Sequence, residues 1–237
     1  MSFVPEKLDY EQKREFRYSL QDYMHRAFRF DDFKGKTVLE IGCGAGIDSA
    51  EFAVNGAKVF STDLTRAGTE LTRDLFKGIG LSPIVIQSNA TSLPFKDAIF
   101  DCVYSFGVLH HFPGIEAALA EIHRVLKPGG QLMVMLYHRD SLLYAYSIVY
   151  WHGIKEGLLK NMSPDDLLSC YSERNEGCPY TRAYTKQEAQ ELFSSKFRQV
   201  TTEVYYNVID LPEQRKVKVD VPDKYELGWH LIVKAVK

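Results

Sequence analysis

From Lys36 onward, short apolar runs alternate with amphipathic stretches along the chain. KTVLEIG, KVFSTD, PIVIQSN, FDCVYSF and QLMVMLY are apolar almost throughout, which predicts five strands buried on both faces, as in parallel sheets. The segments between them look helical. In GIEAALAEIHRVLKPGG, Ile115, Ala118, Leu119, Ile122, Val125 and Leu126 form one apolar stripe, and Pro128, Gly129 and Gly130 stop it. LTRAGTELTRDLFKGIG predicts a second helix, ended by Gly78 or Gly80. Repeated strand–helix alternation predicts a doubly wound α/β sheet.

The pattern changes after Tyr137. SLLYAYSIVYWHGIKEGLL has no strand signature and is apolar nearly all round as far as Trp151; Ser147 and His152 interrupt it, and it is too short and mixed to span a bilayer. Polar, turn-rich sequence follows through SERNEGCPY, and YTKQEAQELFSSKF then predicts a short capped helix. VTTEVYYNVIDL and YELGWHLIVKAV predict two strands that pair antiparallel, since no crossover helix separates them. The expected organisation is one domain over 1–237: a helical cap (1–34), a core (35–137), a helical insertion (138–195) and a terminal strand pair (196–237).

With 237 residues, 45% hydrophobic and 25% charged, the chain has the make-up of an ordinary globular protein with a substantial core. A net charge of −2 without blocks of like charge implies no global pull toward nucleic acid or anionic membrane, and no RNA-binding appendage is recognisable. Cys43, Cys102, Cys170 and Cys178 show neither zinc-site nor redox spacing, and a Cys170–Cys178 disulfide stays open. MSFVPEKLDYEQKREFRYSL lacks the apolar core of a signal peptide, so a reduced, cytoplasmic protein is expected.

VLEIGCGAGID places Gly42, Gly44 and Gly46 straight after a predicted strand and before a helix. Without Cβ atoms, backbone amides there can approach a ligand at the helix N-terminus, although tight ligand-free turns use glycine too. Ile47 stands where a dinucleotide fingerprint has its third glycine. Asp63 closes the next strand, suited to bind vicinal ribose hydroxyls. Together these residues point to an adenosine site.

VLEIGCGAG, STDLT, NATSLPF, FDCVYSFGVLHHFP and EIHRVLKPGG occur in order. Together they resemble the class I S-adenosylmethionine-dependent methyltransferases, in the branch that includes the quinone C-methyltransferases and many small-molecule enzymes. The resemblance covers Gly35 to Tyr137. It implies a Rossmann-like seven-stranded sheet, order 3-2-1-4-5-7-6 with strand 7 antiparallel, a helical cap, and S-adenosyl-L-methionine as cofactor. By the same resemblance, Glu40 and the loop of Gly42, Cys43, Gly44 and Gly46 hold the methionine part, Asp63 the ribose hydroxyls, and Leu64 lines the adenine. Asn89 and Ala90 then lie near the adenine amine, and Ser105 and Phe106 beside the methionine end. Asn89 stands where this class often has an acid; an Asn carbonyl can also accept a bond from that amine. Asp48 is either a favourable first-turn charge or a cofactor contact.

Methyl transfer from a sulfonium is an in-line displacement, for which the protein binds, aligns and excludes water. Aromatic faces near a sulfonium add cation–π attraction. FRYSLQDYMHRAFRF and the segment from Tyr144 to Trp151 are aromatic-rich and flank the sheet where this class builds its substrate cap, so both are expected to form a lid. His110 and His111 leave the fourth strand at the ligand edge, either as a general base or as groups that close the loop and pack the pocket floor. No further ligand cluster accompanies them, so no metal is expected. Tyr137, His138 and Arg139 end the fifth strand at the same edge. Tyr137 and His138 are further catalytic candidates, Arg139 could grip a carboxylate or phosphate, and Asp140 or Ser141 could cap a helix.

The expected function is methyl transfer to an O, N or C atom of a small-molecule acceptor. A nicotinamide-dependent oxidoreductase shares the glycine turn and the acid, but Ile47 and the terminal strand pair count against it. A non-catalytic methyltransferase-like module is the third reading, and protein substrates stay open. The apolar segment from Leu142 to Trp151 is expected to cover the acceptor or to form a homodimer contact, because it lacks the basic face of an interfacial helix.

Overall fold

Strands that are apolar on both sides must be covered on both sides, and helices do this here on each face of one sheet. The computed structural model describes residues 9–82, 84–172, 180–211 and 216–237. The first half contains α1 (Tyr10–Leu20), α2 (Met24–Phe28), β1 (Thr37–Ile41), α3 (Ile47–Val54), β2 (Lys58–Asp63), α4 (Arg66–Gly78), β3 (Ile84–Gln87) and β4 (Phe100–Phe106). It continues with α5 (Ile115–Val125), β5 (Leu126–His138), a π-helix (Leu143–Lys155), α6 (Pro164–Tyr171), β6 (Ala183–Tyr184) and α7 (Lys186–Ser194). β7 (Arg198–Tyr205), β8 (Val208–Ile209), β9 (Val217–Lys218) and β10 (His230–Val236) close the chain.

The long strands run in the order β3-β2-β1-β4-β5-β10-β7, with β10 antiparallel to both neighbours. Counting β7 and β10 as sixth and seventh, this is the expected topology. β6 adds two residues alongside Tyr137 and His138 at the end of β5. Residues of α1 to α4 and the π-helix share one core with Phe28, Phe30, Phe52 and Tyr104; α5 and α7 share the other with Phe100, Leu119 and Phe193. Local chemistry sets the helix starts. The Thr65 hydroxyl accepts the Gly68 amide at 3.0 Å to cap α4, and Thr185 and Glu188 form a reciprocal capping box on α7. The predicted α5 stripe is buried, and Leu126 already begins β5.

Three segments differ from the sequence expectation. VTTEVYYNVIDL does not stay one strand: Tyr206 takes φ 71°, β7 ends before it, and Val208–Ile209 pairs with β9 in a separate small hairpin. Within the stretch taken as polar and turn-rich, α6 forms because Ser163 caps the Asp166 amide and Pro164 fits the first turn. The segment that is apolar all round becomes a π-helix, a rare form mostly limited to single turns. Ser141 starts it, donating to the His138 carbonyl at 2.7 Å and accepting the Tyr144 amide at 3.2 Å. Cys43 and Cys102 are buried and Cys170 is exposed. Cys178, and with it the Cys170–Cys178 pairing, lies outside the described residues. Among the described residues no helix is long and apolar enough to cross a membrane.

Parallel pairing brings the carboxyl ends of β1 to β5 to one edge, and antiparallel β10 begins there, with His230 opposite Tyr137. Leu119, fully buried under that sheet, tests the packing. Leu119→Ala is expected to cost about 2–5 kcal/mol, whereas Leu71→Ala on the exposed side of α4 should stay within about 0.5 kcal/mol. Urea unfolding should show the difference as a shifted midpoint at unchanged slope.

Candidate active site

The turn from β1 into α3 is held by backbone bonds: the Gly42 and Cys43 amides donate to the Thr62 carbonyl at 2.7 and 3.0 Å. Gly42 has φ 80°, and a Cβ there would lie 2.1 Å from Val108 Cγ2, so the loop after β4 packs against the bare backbone. Gly44 has φ 50°, yet nothing lies within 4 Å of a Cβ built on it. The loop is thus tight underneath and open above Gly44. Thr72 secures it from α4, donating to the Gly44 carbonyl at 3.0 Å. Cys43 is buried beside it, and burial pushes its thiol up to about 12, leaving it inert as a nucleophile.

Asp63 bridges the loop to the next turn. Its Oδ2 accepts the Gly44 amide at 2.9 Å, and its Oδ1 accepts the Thr65 amide and hydroxyl at 2.8 and 2.7 Å. Oδ1 is thereby filled, while Oδ2 retains capacity for a ligand hydroxyl. Leu64, next to it, is 57% exposed. Asn89 is exposed with its carbonyl accepting the Thr91 amide at 3.0 Å, and Ala90 is buried behind it. Ser105 is fully buried and donates to the Ile41 carbonyl at 3.0 Å, which ties β4 to β1.

Two buried carboxyls support the turn. Glu40 accepts a short hydrogen bond from Ser49, whose hydroxyl lies 2.6 Å from that of Ser61. Burial, reinforced by the charge of Asp48, holds the Glu40 carboxyl well above the usual range. Asp48, in the first turn of α3, accepts from Arg17 Nε and Nη2 at 3.2 and 2.7 Å, from Tyr18 at 3.1 Å and from Tyr104 at 2.8 Å. Arg17 also lies 4.4 Å from the ring centre of Phe106. Asp48 is therefore the anchor of α1, and its position just after the glycine loop was its only sequence signal.

The histidines separate. His110 is fully buried, and neither ring nitrogen has a hydrogen-bond partner among the described residues. Its ring lies 3.9 Å from that of Tyr137. Burial, then the neighbouring His111 and His230 and Lys216, hold it well below the usual histidine range, so it is neutral at pH 7. His111 Nδ1 lies 3.1 Å from the Thr181 hydroxyl and 3.3 Å from the Tyr180 carbonyl. Tyr137 stacks on Trp229 at 4.2 Å. His138 follows Tyr137 in the strand and so faces the opposite side of the sheet. There, its Nδ1 donates to the Gly228 carbonyl at 3.0 Å. It lines a groove of 450 Å³ with Asp140, Lys186 and Glu226, beside α7. Arg139 donates to the Ala183 carbonyl at 3.0 Å and pairs with Glu188 at 3.1 Å, so its charge is spent on the cap.

Residues that sequence patterns did not single out complete this edge. Tyr23, between α1 and α2, lies with its hydroxyl 2.6 Å from His230 Nδ1. The His230 ring stacks on Tyr206 at 4.6 Å and meets Phe106 edge-on at 5.4 Å. A lone histidine in an apolar strand carries no motif that would have flagged it.

Residues 39–134 match the family described as a methyltransferase domain. Over this core the chain is similar to a methyltransferase domain. Over 134 residues the chain is 31% identical to the sterol 4-C-methyltransferase strm-1 of Caenorhabditis elegans, covering 56% of this chain and 40% of that protein. Over 128 residues it is 35% identical to the ubiquinone/menaquinone biosynthesis C-methyltransferase UbiE of Escherichia fergusonii, covering 50% of this chain and 51% of that protein. The chain thus spans only 40% and 51% of the lengths of these relatives. An S-adenosylmethionine-dependent methyltransferase structure from Mesorhizobium loti matches with TM-score 0.64 over 96% of this chain and 100% of that one; at 16% identity this shows the fold alone.

A methyltransferase domain of this family implies S-adenosylmethionine as its cofactor. The open space at Gly44, the Asp63 carboxylate beside it and exposed Leu64 fit a ligand with a ribose diol and a flat base. Two tests follow from the geometry of the turn. Gly44→Ala meets only left-handed strain and should cost about 1–2 kcal/mol, while Gly42→Ala adds overpacking against Val108 and should cost about 1–3 kcal/mol more; chemical denaturation of both variants measures this. Because the folded-state pKa of Glu40 is raised, folding takes up a proton and stability falls as pH rises above the ordinary carboxylate value. Glu40→Gln should therefore be more stable than the native chain near neutral pH, with no gain below about pH 4.3, as read by unfolding across pH.

Proposed function

We propose that this methyltransferase domain transfers a methyl group from S-adenosylmethionine to a small organic acceptor. The observation that carries the reading is the Gly44 amide bound to the Asp63 carboxylate at the open side of the glycine turn. When bound, the cofactor supplies an activated methyl group on a sulfonium; the chain's residues bind, orient and exclude water. Glu40 and the turn of Gly42, Cys43, Gly44 and Gly46 hold the methionine part, and Asp63 holds the ribose hydroxyls. Leu64, Asn89 and Ala90 surround the adenine. Ser105 acts by keeping β4 against β1, and Phe106 presents its ring toward the methionine end.

On the acceptor side, His110 is the general base of this proposal. It is neutral, buried and unpaired among the described residues, so a ring nitrogen can take the proton that the methylated atom of the acceptor releases. His111 and Tyr137 form the walls around it. His138 takes no part, since it faces α7. A carbon acceptor is favoured, in line with the two C-methyltransferase relatives. α1, α2 and the π-helix supply the lid that excludes water.

Thermal unfolding with S-adenosylmethionine, S-adenosylhomocysteine and NAD in separate titrations tests the reading. Either adenosyl-sulfur ligand at a hundred times its Kd should stabilise the fold by about 2.7 kcal/mol, and Asp63→Ala should remove the shift. A shift with NAD alone would transfer the chain to the oxidoreductases; no shift with any of the three would favour a non-catalytic module.

A further inference from the structure

The groove beside α7 is built from residues that methyl transfer leaves unused. Three segments meet there: the end of β5, the first turn of α7, and the loop that leads into β10. It has a volume of 450 Å³, with His138, Asp140, Thr185, Lys186 and Glu226 in its walls. The His138 side chain is only 1% exposed, whereas that of Asp140 is 65% exposed and has room to turn as a ligand enters.

The surroundings of His138 fix where its proton sits. Nδ1 lies 3.0 Å from the Gly228 carbonyl, which can only accept, so Nδ1 carries the hydrogen. Burial is the largest influence on the ring and holds it below the usual histidine value, so it is neutral at pH 7. Nε2 is therefore a lone-pair acceptor, buried and without a hydrogen-bond partner among the described residues. The Asp140 carboxylate lies 3.9 Å from it, too far for a direct bond and near enough for one donor to bridge the two. Two acceptors thus stand side by side with no donor of the chain between them.

The cations nearby already have partners. Lys186 pairs with Glu226 at 2.6 Å. Thr185 and Glu188 close a capping box over the first turn of α7, and Arg139 and Arg182 both pair with Glu188. Among the described residues no lysine or arginine comes within 4.0 Å of Asp140, whose charge is left for a ligand to meet.

We propose that this groove is a binding site for a small organic ammonium, whose N–H groups donate to His138 Nε2 and to the Asp140 carboxylate. The ligand is an amine in its protonated form. A cation without N–H leaves Nε2 unmet, and an anion faces two acceptors. The site lies on the opposite side of the sheet from Tyr137 and does not depend on the methyl-transfer reading.

The test titrates the full chain at pH 7 with butylammonium, tetramethylammonium and acetate in turn, following nitrogen-15 resonances of labelled histidine; His138→Gln identifies those of His138. In the native chain His138 should show its proton on Nδ1, and butylammonium should shift the Nε2 resonance to saturation. Tetramethylammonium and acetate should leave it in place. Asp140→Ala, at an exposed position, should keep the fold and weaken butylammonium about tenfold. A proton on Nε2, a resonance unmoved by butylammonium, an equal shift with tetramethylammonium, or undiminished binding by Asp140→Ala overturns the proposal. A shift with acetate alone overturns it too, and would make the start of α7 an anion site instead.

Discussion

One buried carboxylate organises the site. Asp48 is 5% exposed, and a charge taken out of water must be met by donors. It is met by Arg17 and Tyr18 from α1 and by Tyr104 from β4. Those bonds dock the first helix across α3 and the middle of the sheet. Arg14 repeats the device one turn earlier, gripping Glu51 at 2.5 and 2.8 Å. With α1 fixed, Arg17 covers Phe106 and the following turn delivers Tyr23 to His230. The cap thus reaches the far strand of the site through a charge placed at the start of α3.

Around that anchor the protein separates charge from neutrality. The glycine-turn half offers amide donors, the Asp63 carboxylate and a Glu40 carboxyl that burial holds well above the usual range. The half around Tyr137 and Trp229 offers the imidazoles of His110 and His230, which burial holds well below the usual histidine range. Adjacent residues take opposite fates for geometric reasons: His110 turns into the core while His111 meets the cap, and Tyr137 and His138 fall on opposite faces because strand side chains alternate. The Tyr137–His138 pair is split by the pleat, whereas His110 and His111 part on the short 3-10 turn after β4, where only His110 is fully buried.

The doubly wound core was legible because its features are local. A glycine turn needs its own φ angles, an amphipathic stripe needs its own spacing, and parallel strands show their double burial as continuous apolar runs. α5, α4 and the five core strands appear where those patterns put them. α6 was also legible in principle, from Ser163 and Pro164, but its cap lay within a polar run. The break at Tyr206 was not, since a left-handed tyrosine has no compositional signal and is held by the strand ends around it.

The sequence by itself determined the doubly wound core, the strand that carries Asp63, and the edge at which His110, His111 and Tyr137 gather. These follow from short-range periodicity and from the fixed direction of parallel strands. Only the tertiary structure decided that Asp48 anchors the cap, that Arg139 is consumed by Glu188, that His138 faces α7, and that Tyr23 meets His230 from 207 residues away. Those outcomes depend on which side chains face one another after the sheet twists and the helices dock. No local pattern encodes them, because each is a contact between residues whose neighbours in sequence are elsewhere.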